Sequence, residues 1–475
     1  MSASTDRAGT SQGETAPEPV APPRPGAGVV RPYHFPSFQT RILPNGLRVV
    51  VAPVHSHPVV TMLAVVEAGA TRDPQGKHGL AVMAGRALAE GTETMSALEL
   101  AERVEMLGTV LDTGADWDSS IVQLTALRER AGDAFAVLAE VLRRPSFPAD
   151  EMQRLAEERL SDLTQIRAEP RGLADVALNR LLYASTSRFA RLAGGDERSI
   201  PTITRDDVVR FHAEHFVPGA TALLVVGDCS VDEAVAMATE HLGDWSGTTV
   251  PVPDPDASRR YADCRVHLVA KPDAHQTELR LGHVAVPRAH PDYFPLVVMN
   301  AILGGLFSSR LNLNLREKHG YTYGAHSTFD WRRAASPFEL SSAVQTDKCA
   351  DAVREALFEV ARMREEKVSD EELSLAVSYL DGVFPIRFET TAAIASGLAN
   401  VEIFRLPSNY FDTYRERVRA VSADDVLRAA RTHLDPSRLQ VVVVGPPDVL
   451  QPALEALGIG PVSVHAPTDE LSADD

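Results

Sequence analysis

The chain is 475 residues long, 44% of them hydrophobic, with 65 acidic and 47 basic side chains and a formal charge of −18. A length of this kind suggests two or more domains, each able to bury its own core, and the acidic surplus disfavours nucleic acid and anionic membrane as partners. Cys229, Cys264 and Cys349 are odd in number and far apart, in no metal-type spacing, which argues against a disulfide framework and for reduced thiols.

Residues 1–32 are rich in Ala, Pro, Gly, Ser and Thr and nearly devoid of large apolar side chains, so they read as a disordered tail. They lack the basic start and apolar core of a signal peptide, and no later apolar run is long enough to span a membrane. A cytoplasmic protein is expected. After the tail, Asn45 and Gly46 mark a turn, Leu47 to Val51 a strand, and Val59 to Glu67 a second strand beginning the same sheet. Gly79 to Thr92 and Ala97 to Leu107 read as helices, and Val110 to Ala115 with Ser119 to Thr125 as a hairpin. Helices follow over 131–144 and 150–167, where Pro170 stops them, then over 205–215, with a strand over 222–227.

An internal repeat organises the chain. "DDVVRFHAEHFVPGATALLVVG" at 206–227 lies on "DDVLRAARTHLDPSRLQVVVVG" at 424–445 with an offset of 218. The same offset places 49–53 within 266–271 and the helix at 79–92 on 297–310. The reading is therefore an α+β chain of two similar halves, 33–245 and 261–475, joined by a polar, Pro-rich linker at 246–260. Each half is expected to pack helices on one face of a mainly antiparallel sheet.

One stretch of the second half stands out: "GGLFSSRLNLNLREKHGYTYG", from Gly304 to Gly324. Leu306, Leu311 and Leu315 recur at roughly helical spacing, Gly320 fits a left-handed cap, and Tyr321 to Tyr323 are strand formers. Taken alone, Arg316 and Tyr323 read as a surface arginine and a core tyrosine. An arginine and a phenol at one turn could also grip peptide carbonyls and polarise one under attack. The segment "FSSRL…LREKxGYxY" resembles the R/Y motif of the pitrilysin/insulinase superfamily, whose subunits share the duplicated, processing-peptidase-like plan. The resemblance implies that Arg316 and Tyr323 bind substrate and stabilise the tetrahedral intermediate opposite a zinc site. Tyr321 falls where that family often has an aliphatic residue and is assigned no chemistry.

Active members carry an inverted motif, His-x-x-Glu-His, on the first half's helix, with two zinc ligands and a base that activates water. Here Gly79, Ala81, Gly91 and Thr92 keep the flanks, but Val82, Gly85 and Arg86 stand where histidine, glutamate and histidine are expected. Glu158 is the best match for the third ligand, the family's paired acids are replaced by Thr164 and Gln165, and a lone Glu158 reads as a solvated helix residue. No metal is expected in this chain. Two decoys read as structural: "FHAEH" at 211–215, whose first position is Phe211 and whose His212 and His215 share a helix face, and His78, expected at a solvated helix start.

The resemblance implies a subunit inactive alone that completes, in trans, the site of a homologous zinc-bearing chain with an intact motif. Zinc is expected in that partner, and the ligand is a peptide, with strand addition to a sheet edge a plausible mode. The alternative is an inert scaffold or peptide-holding protein of the same fold. Only Gly304 and Gly305 stand where presequence-binding subunits carry a longer glycine-rich loop, so presequence handling is not implied.

Overall fold

The computed structural model describes residues 32–251 and 255–467. The expected tail lies outside them but for its last residue. The first half comprises β1 (Gln39–Ile42), β2 (Arg48–Pro53), β3 (Val59–Val66), α1 (Leu80–Ala87), α2 (Ala97–Met106), β4 (Asp112–Ala115) and β5 (Ser120–Leu127). It continues through α3 (Ala131–Arg143), α4 (Ala149–Ala168), α5 (Pro170–Leu182), α6 (Arg205–His215), β6 (Thr221–Gly227) and α7 (Val231–Leu242). The second half holds β7 (Arg265–Ala270), β8 (Thr277–Val284), α8 (Tyr293–Asn300), two π-helical segments (Ala301–Gly305 and Asn312–Lys318), β9 (Thr322–Phe329) and β10 (Pro337–Val344). It ends with α9 (Cys349–Glu365), α10 (Asp370–Ile386), α11 (Thr391–Ile403), α12 (Tyr410–Arg419), α13 (Ala423–His433), β11 (Gln440–Gly445), α14 (Pro447–Glu455) and β12 (Val462–His465).

The α+β class and the duplication hold, with two six-stranded sheets in the orders β1-β2-β6-β3-β5-β4 and β12-β7-β11-β8-β10-β9. Both sheets are mixed: β2 with β6, β7 with β11 and β7 with β12 run parallel, and the other neighbours antiparallel. The first two long strands are not neighbours as expected, because β6 lies between them. All seven residues of β6 are buried, and a strand apolar on both faces belongs in a sheet's centre. The repeat extends to helix caps: Thr204 and Asp207 form the capping box of α6, and Ser422 and Asp425 that of α13.

The offset of 218 slips elsewhere. Val49 pairs with Leu223 and Val266 with Val441, so β2 lies one residue off in the repeat. The first helix is also shorter than expected, ending at Ala87 rather than Thr92. Its counterpart begins at Tyr293, so the extra turn in the second half is added at the N-terminal end.

Pro170 does not end the helical region but opens α5 as its first residue, where proline's missing N–H has no partner to lose. This missed helix ties the halves together. Leu173, Ala177, Leu178 and Leu181 pack on Val269, Val442 and Val444 of the second half's sheet. In exchange, α11 lies on β3 and β6 of the first half, with Thr391 Oγ1 at 2.8 Å from Thr61 Oγ1. Each half thus lends one helix to the other's sheet, on the face away from its own helices. Met62, Ala64 and Val66, on the opposite face of β3, join α1, α3 and α6 in the first half's core.

Candidate functional site

The corner where the zinc motif would stand is built by α1 against β4 and α4. Asp73 is fully buried and caps α1, accepting from the N–H groups of Gly79 (2.7 Å) and Ala81 (2.8 Å) and from the Arg188 guanidinium (2.7 Å). Arg188 in turn donates to the carbonyls of Ala70, Leu192 and Ala193. His78 is not solvated as expected: it is only 5% exposed, and its Nδ1 has no partner among the described residues. Burial, reinforced by Arg188 and Arg191, pushes its pKa down to about 4, so it is neutral near pH 7.

Along α1, Val82 and Gly85 offer no donor atom. Gly85 lies flat against the edge strand, where an added Cβ would come within 2.7 Å of the Gly114 carbonyl carbon. Arg86 reaches across to α4, 3.6 Å from a Glu158 oxygen and 3.9 Å from Asp162, while Arg154 holds the other Glu158 oxygen. Glu158, the best sequence match for a third ligand and expected to be a solvated helix residue, is half-exposed and ion-paired to Arg86 and Arg154. These residues do not fit zinc: two have no ligating atom, and the third brings a fixed positive charge.

His212 and His215 are structural. His212 lies 3.0 Å from the Leu142 carbonyl and stacks on Phe216, and burial holds both imidazoles down to about 4. A third group escaped the sequence reading: ligand-type atoms of His290, Asp292 and His433 lie within 4.8 Å of one another. These atoms already have partners. Asp292 takes Arg428 at 2.8 and 3.0 Å and His433 Nε2 at 2.7 Å. Its own N–H donates to His290 Nδ1 at 3.1 Å, which leaves the proton of the neutral ring on Nε2. Arg428 is the main reason that the Asp292 carboxyl sits well below the usual carboxylate range.

The second half's corner is organised differently. The expected continuous helix is broken: Leu306 caps the first π-helical segment, and Arg316 rides on the second, whose end is closed by Gly320 at φ 65°. The Arg316 guanidinium lies 4.5 Å from the ring centre of Phe307, itself 71% exposed, and 3.3 Å from Glu317. Tyr323 is not the core tyrosine of the simplest reading but is 88% exposed.

The cause is a bulge. Thr322 pairs with Val344 and Ala325 with Ser342, so Tyr323 and Gly324 face Ala343 alone. Bulges of this kind re-aim a side chain. Tyr323 thereby turns out at the rim of an open cleft of about 670 Å³ on the sheet face that α5 leaves bare. Arg171 and Asp175 of α5, Glu278 and Arg280 of β8, His326 of β9 and Glu339 of β10 also line it, whereas Arg316 does not. Arg280, its side chain 4% exposed, ties that wall together through Asp175 (2.6 Å), Glu278 (2.8 Å) and Glu339 (3.2 Å). Burial pushes the Glu339 carboxyl up despite Arg280 beside it.

Strand addition at β9 meets an edge already in use. The Asn312 side chain accepts from the Ala325 N–H (3.0 Å) and donates to the Ala325 carbonyl (3.0 Å), and Asn300 donates to the Ser327 carbonyl (2.9 Å). At this wall the sheet presents side chains rather than a free run of edge amides.

Residues 48–195 match the family model described as insulinase (peptidase family M16), and residues 202–380 match the one described as peptidase M16 inactive domain. An uncharacterized zinc protease of Mycobacterium tuberculosis is 25% identical over 410 residues, covering 85% of this chain and 92% of the relative. A protein of Helicobacter pylori named as a non-peptidase homolog is 24% identical over 394 residues, covering 82% and 90%. Among solved structures, a peptidase M16 inactive domain from Pseudomonas fluorescens superposes with a TM-score of 0.81 at 26% identity, over 86% of this chain and 98% of that one.

Proposed function

Because the chain belongs to the insulinase (M16) peptidase family, we propose that it is the zinc-free partner subunit of a heterodimeric metallopeptidase. In this reading Arg316 and Tyr323 reach a peptide held against the metal of a homologous chain with an intact His-x-x-Glu-His. The observation that carries it is Tyr323. A bulge turns its ring outward beside an open polar cleft, and its phenol makes no hydrogen bond among the described residues. In that role the phenol donates to the oxygen that gains charge during attack, and the arginine, always protonated, holds a neighbouring carbonyl or carboxylate. The metal, bound by the partner, would activate the water. Among the described residues no helix is long and apolar enough to cross a membrane, and the three free thiols support a reducing, cytoplasmic setting.

The test is reconstitution. Peptide hydrolysis is expected only when this chain is mixed with the zinc-bearing homologue, and Tyr323→Phe in a normally formed heterodimer should lose about a hundredfold in turnover, roughly 3 kcal/mol. Arg316→Ala should raise KM more than it lowers kcat. Heterodimers with both residues changed that still turn over at the wild-type rate would sink this reading. The inert scaffold would then stand.

A further inference from the structure

Tyr323 and Arg316 lie on different elements, and one buried side chain fastens the two together. Asn312 opens the π-helical segment that carries Arg316 one turn later, and it is 2% exposed. Its amide oxygen accepts from the Ala325 N–H, and its amide nitrogen donates to the Ala325 carbonyl, the Ser309 hydroxyl (3.2 Å) and the Leu306 carbonyl (3.3 Å). Ala325 is the residue at which regular pairing resumes after the bulge that turns Tyr323 outward. Asn312 therefore grips the strand two residues beyond the phenol and the helix four residues before the guanidinium. It also closes the Leu306 turn beneath Phe307, the ring on which Arg316 rests.

We infer that Asn312 is a positioning residue for the pair: its carboxamide fixes the bulge of β9 against the helix, and so sets where Tyr323 and Arg316 stand relative to one another. Only a group with a donor and an acceptor side by side serves both backbone atoms of Ala325. Leucine would leave both unpaired, and aspartate would set a second oxygen against two carbonyls. Asn300 is the natural control. It makes a similar plug at Ser327, donating its Nδ2–H to the Ser327 carbonyl (2.9 Å) and accepting from the Ser327 hydroxyl (2.8 Å), but it lies beyond the bulge and, among the described residues, makes no hydrogen bond to the segment that carries Arg316.

The inference rests on the reading that Arg316 and Tyr323 contact peptide, and the experiment separates the two. Binding of fluorescein-labelled, oxidised insulin B chain to the full-length protein is followed by anisotropy for Asn312→Ala in the wild-type background and in Arg316→Ala/Tyr323→Phe. A residue acting through the pair should weaken binding by about tenfold in the first background and by less than about twofold in the second, since effects that share one route are not additive. The same factor in both backgrounds overturns the positioning role. Arg316→Ala/Tyr323→Phe binding as tightly as wild type overturns both readings.

Asn300→Ala should leave binding within about twofold of wild type, and an equal loss there would make Asn312 merely structural. If Asn312→Ala does not fold, Asn312→Asp takes its place. Its acid form restores the donor, so binding should recover below the aspartate's pKa and fall above it, while wild type stays flat. A flat profile for the aspartate variant counts against the proposal.

Discussion

Corresponding corners of the two halves solve the same packing problem and end with opposite chemical content. In both, the helical segment that follows a central strand of the sheet, β3 or β8, lays a glycine against the edge strand: Gly85 against Gly114 of β4, and Gly304 against Ser327 of β9, where an added Cβ would approach backbone atoms to 2.7 and 2.5 Å. In the first half that closeness leaves the corner filled. The glycine stands where the resemblance expects a base, and Arg86 lies against Glu158 with a fixed charge. In the second half the closeness is bridged by Asn312, which holds the strand by its backbone two residues beyond the outward-facing Tyr323. The packing of the first corner thus leaves no room for a larger side chain at Gly85.

The largest effect should come from the N-terminal tether of α1. Arg188→Met strands the Asp73 carboxylate in a fully buried place, and about 3–5 kcal/mol of stability should be lost in denaturant melts. The half-exposed Arg428 on Asp292, at the matching end of α8, should cost less than about 1 kcal/mol when replaced by Met. Equal losses at the two sites would erase the distinction between the corners.

Next comes the attempt to rebuild the metal site. Val82→His, Gly85→Glu and Arg86→His together should not yield stoichiometric zinc in metal analysis, because Gly85→Glu alone forces β4 away and costs about 1–3 kcal/mol. A well-folded triple variant with one tight zinc would show that the β4 edge yields easily and that the corner is only superficially closed.

A smaller, pH-dependent effect follows from His78. The unfolded imidazole titrates near 6.5 and the folded one at about 4, so the unfolded chain takes up the proton first. Stability is complete above about pH 6.5 and falls as pH drops towards about 4. His78→Gln should flatten part of that fall in urea midpoints measured at pH 5 and 7, and an unchanged slope would remove His78 from the account.

The smallest expected effect is that of a nick in the linker. Limited proteolysis should cut within 246–260 after the tail up to residue 32, and the two fragments should stay together in native gel filtration while separating on a denaturing gel. Fragments that part under native conditions would contradict the helix exchange between the halves.

Much of the fold was legible because it rests on local signals that the structure uses directly. The repeat of 206–227 on 424–445, the hairpin around Asp116 and the cap at Gly320 are all read from short patterns that the structure keeps. Val82, Gly85 and Arg86 could be read from the sequence as side chains that offer zinc no ligating atom. What escaped depends on long-range packing. Pro170 terminates one helix and starts another, and nothing local tells that α5 will lie on a sheet formed almost a hundred residues later. His78 looks solvated beside Lys77 and Gly79, and only the fold buries it. The bulge at Tyr323 was likewise hidden, since it arises from the pairing of β9 with β10; Asn312, in plain view within the motif, signalled nothing until Ala325 was placed beside it.

The exchange of α5 and α11 also has a consequence on the ribosome. When the first half has left the exit tunnel, the face of its sheet that carries Thr61, Leu63 and Val65 has nothing to cover it, because its lid is encoded by residues 391–403. At ordinary elongation rates of about 5–20 residues per second, that face stays bare for roughly 8–32 seconds while the intervening chain is made. The nascent first half is therefore a client for holding factors during that interval, and a message truncated before α11 yields a sticky fragment rather than a smaller working protein.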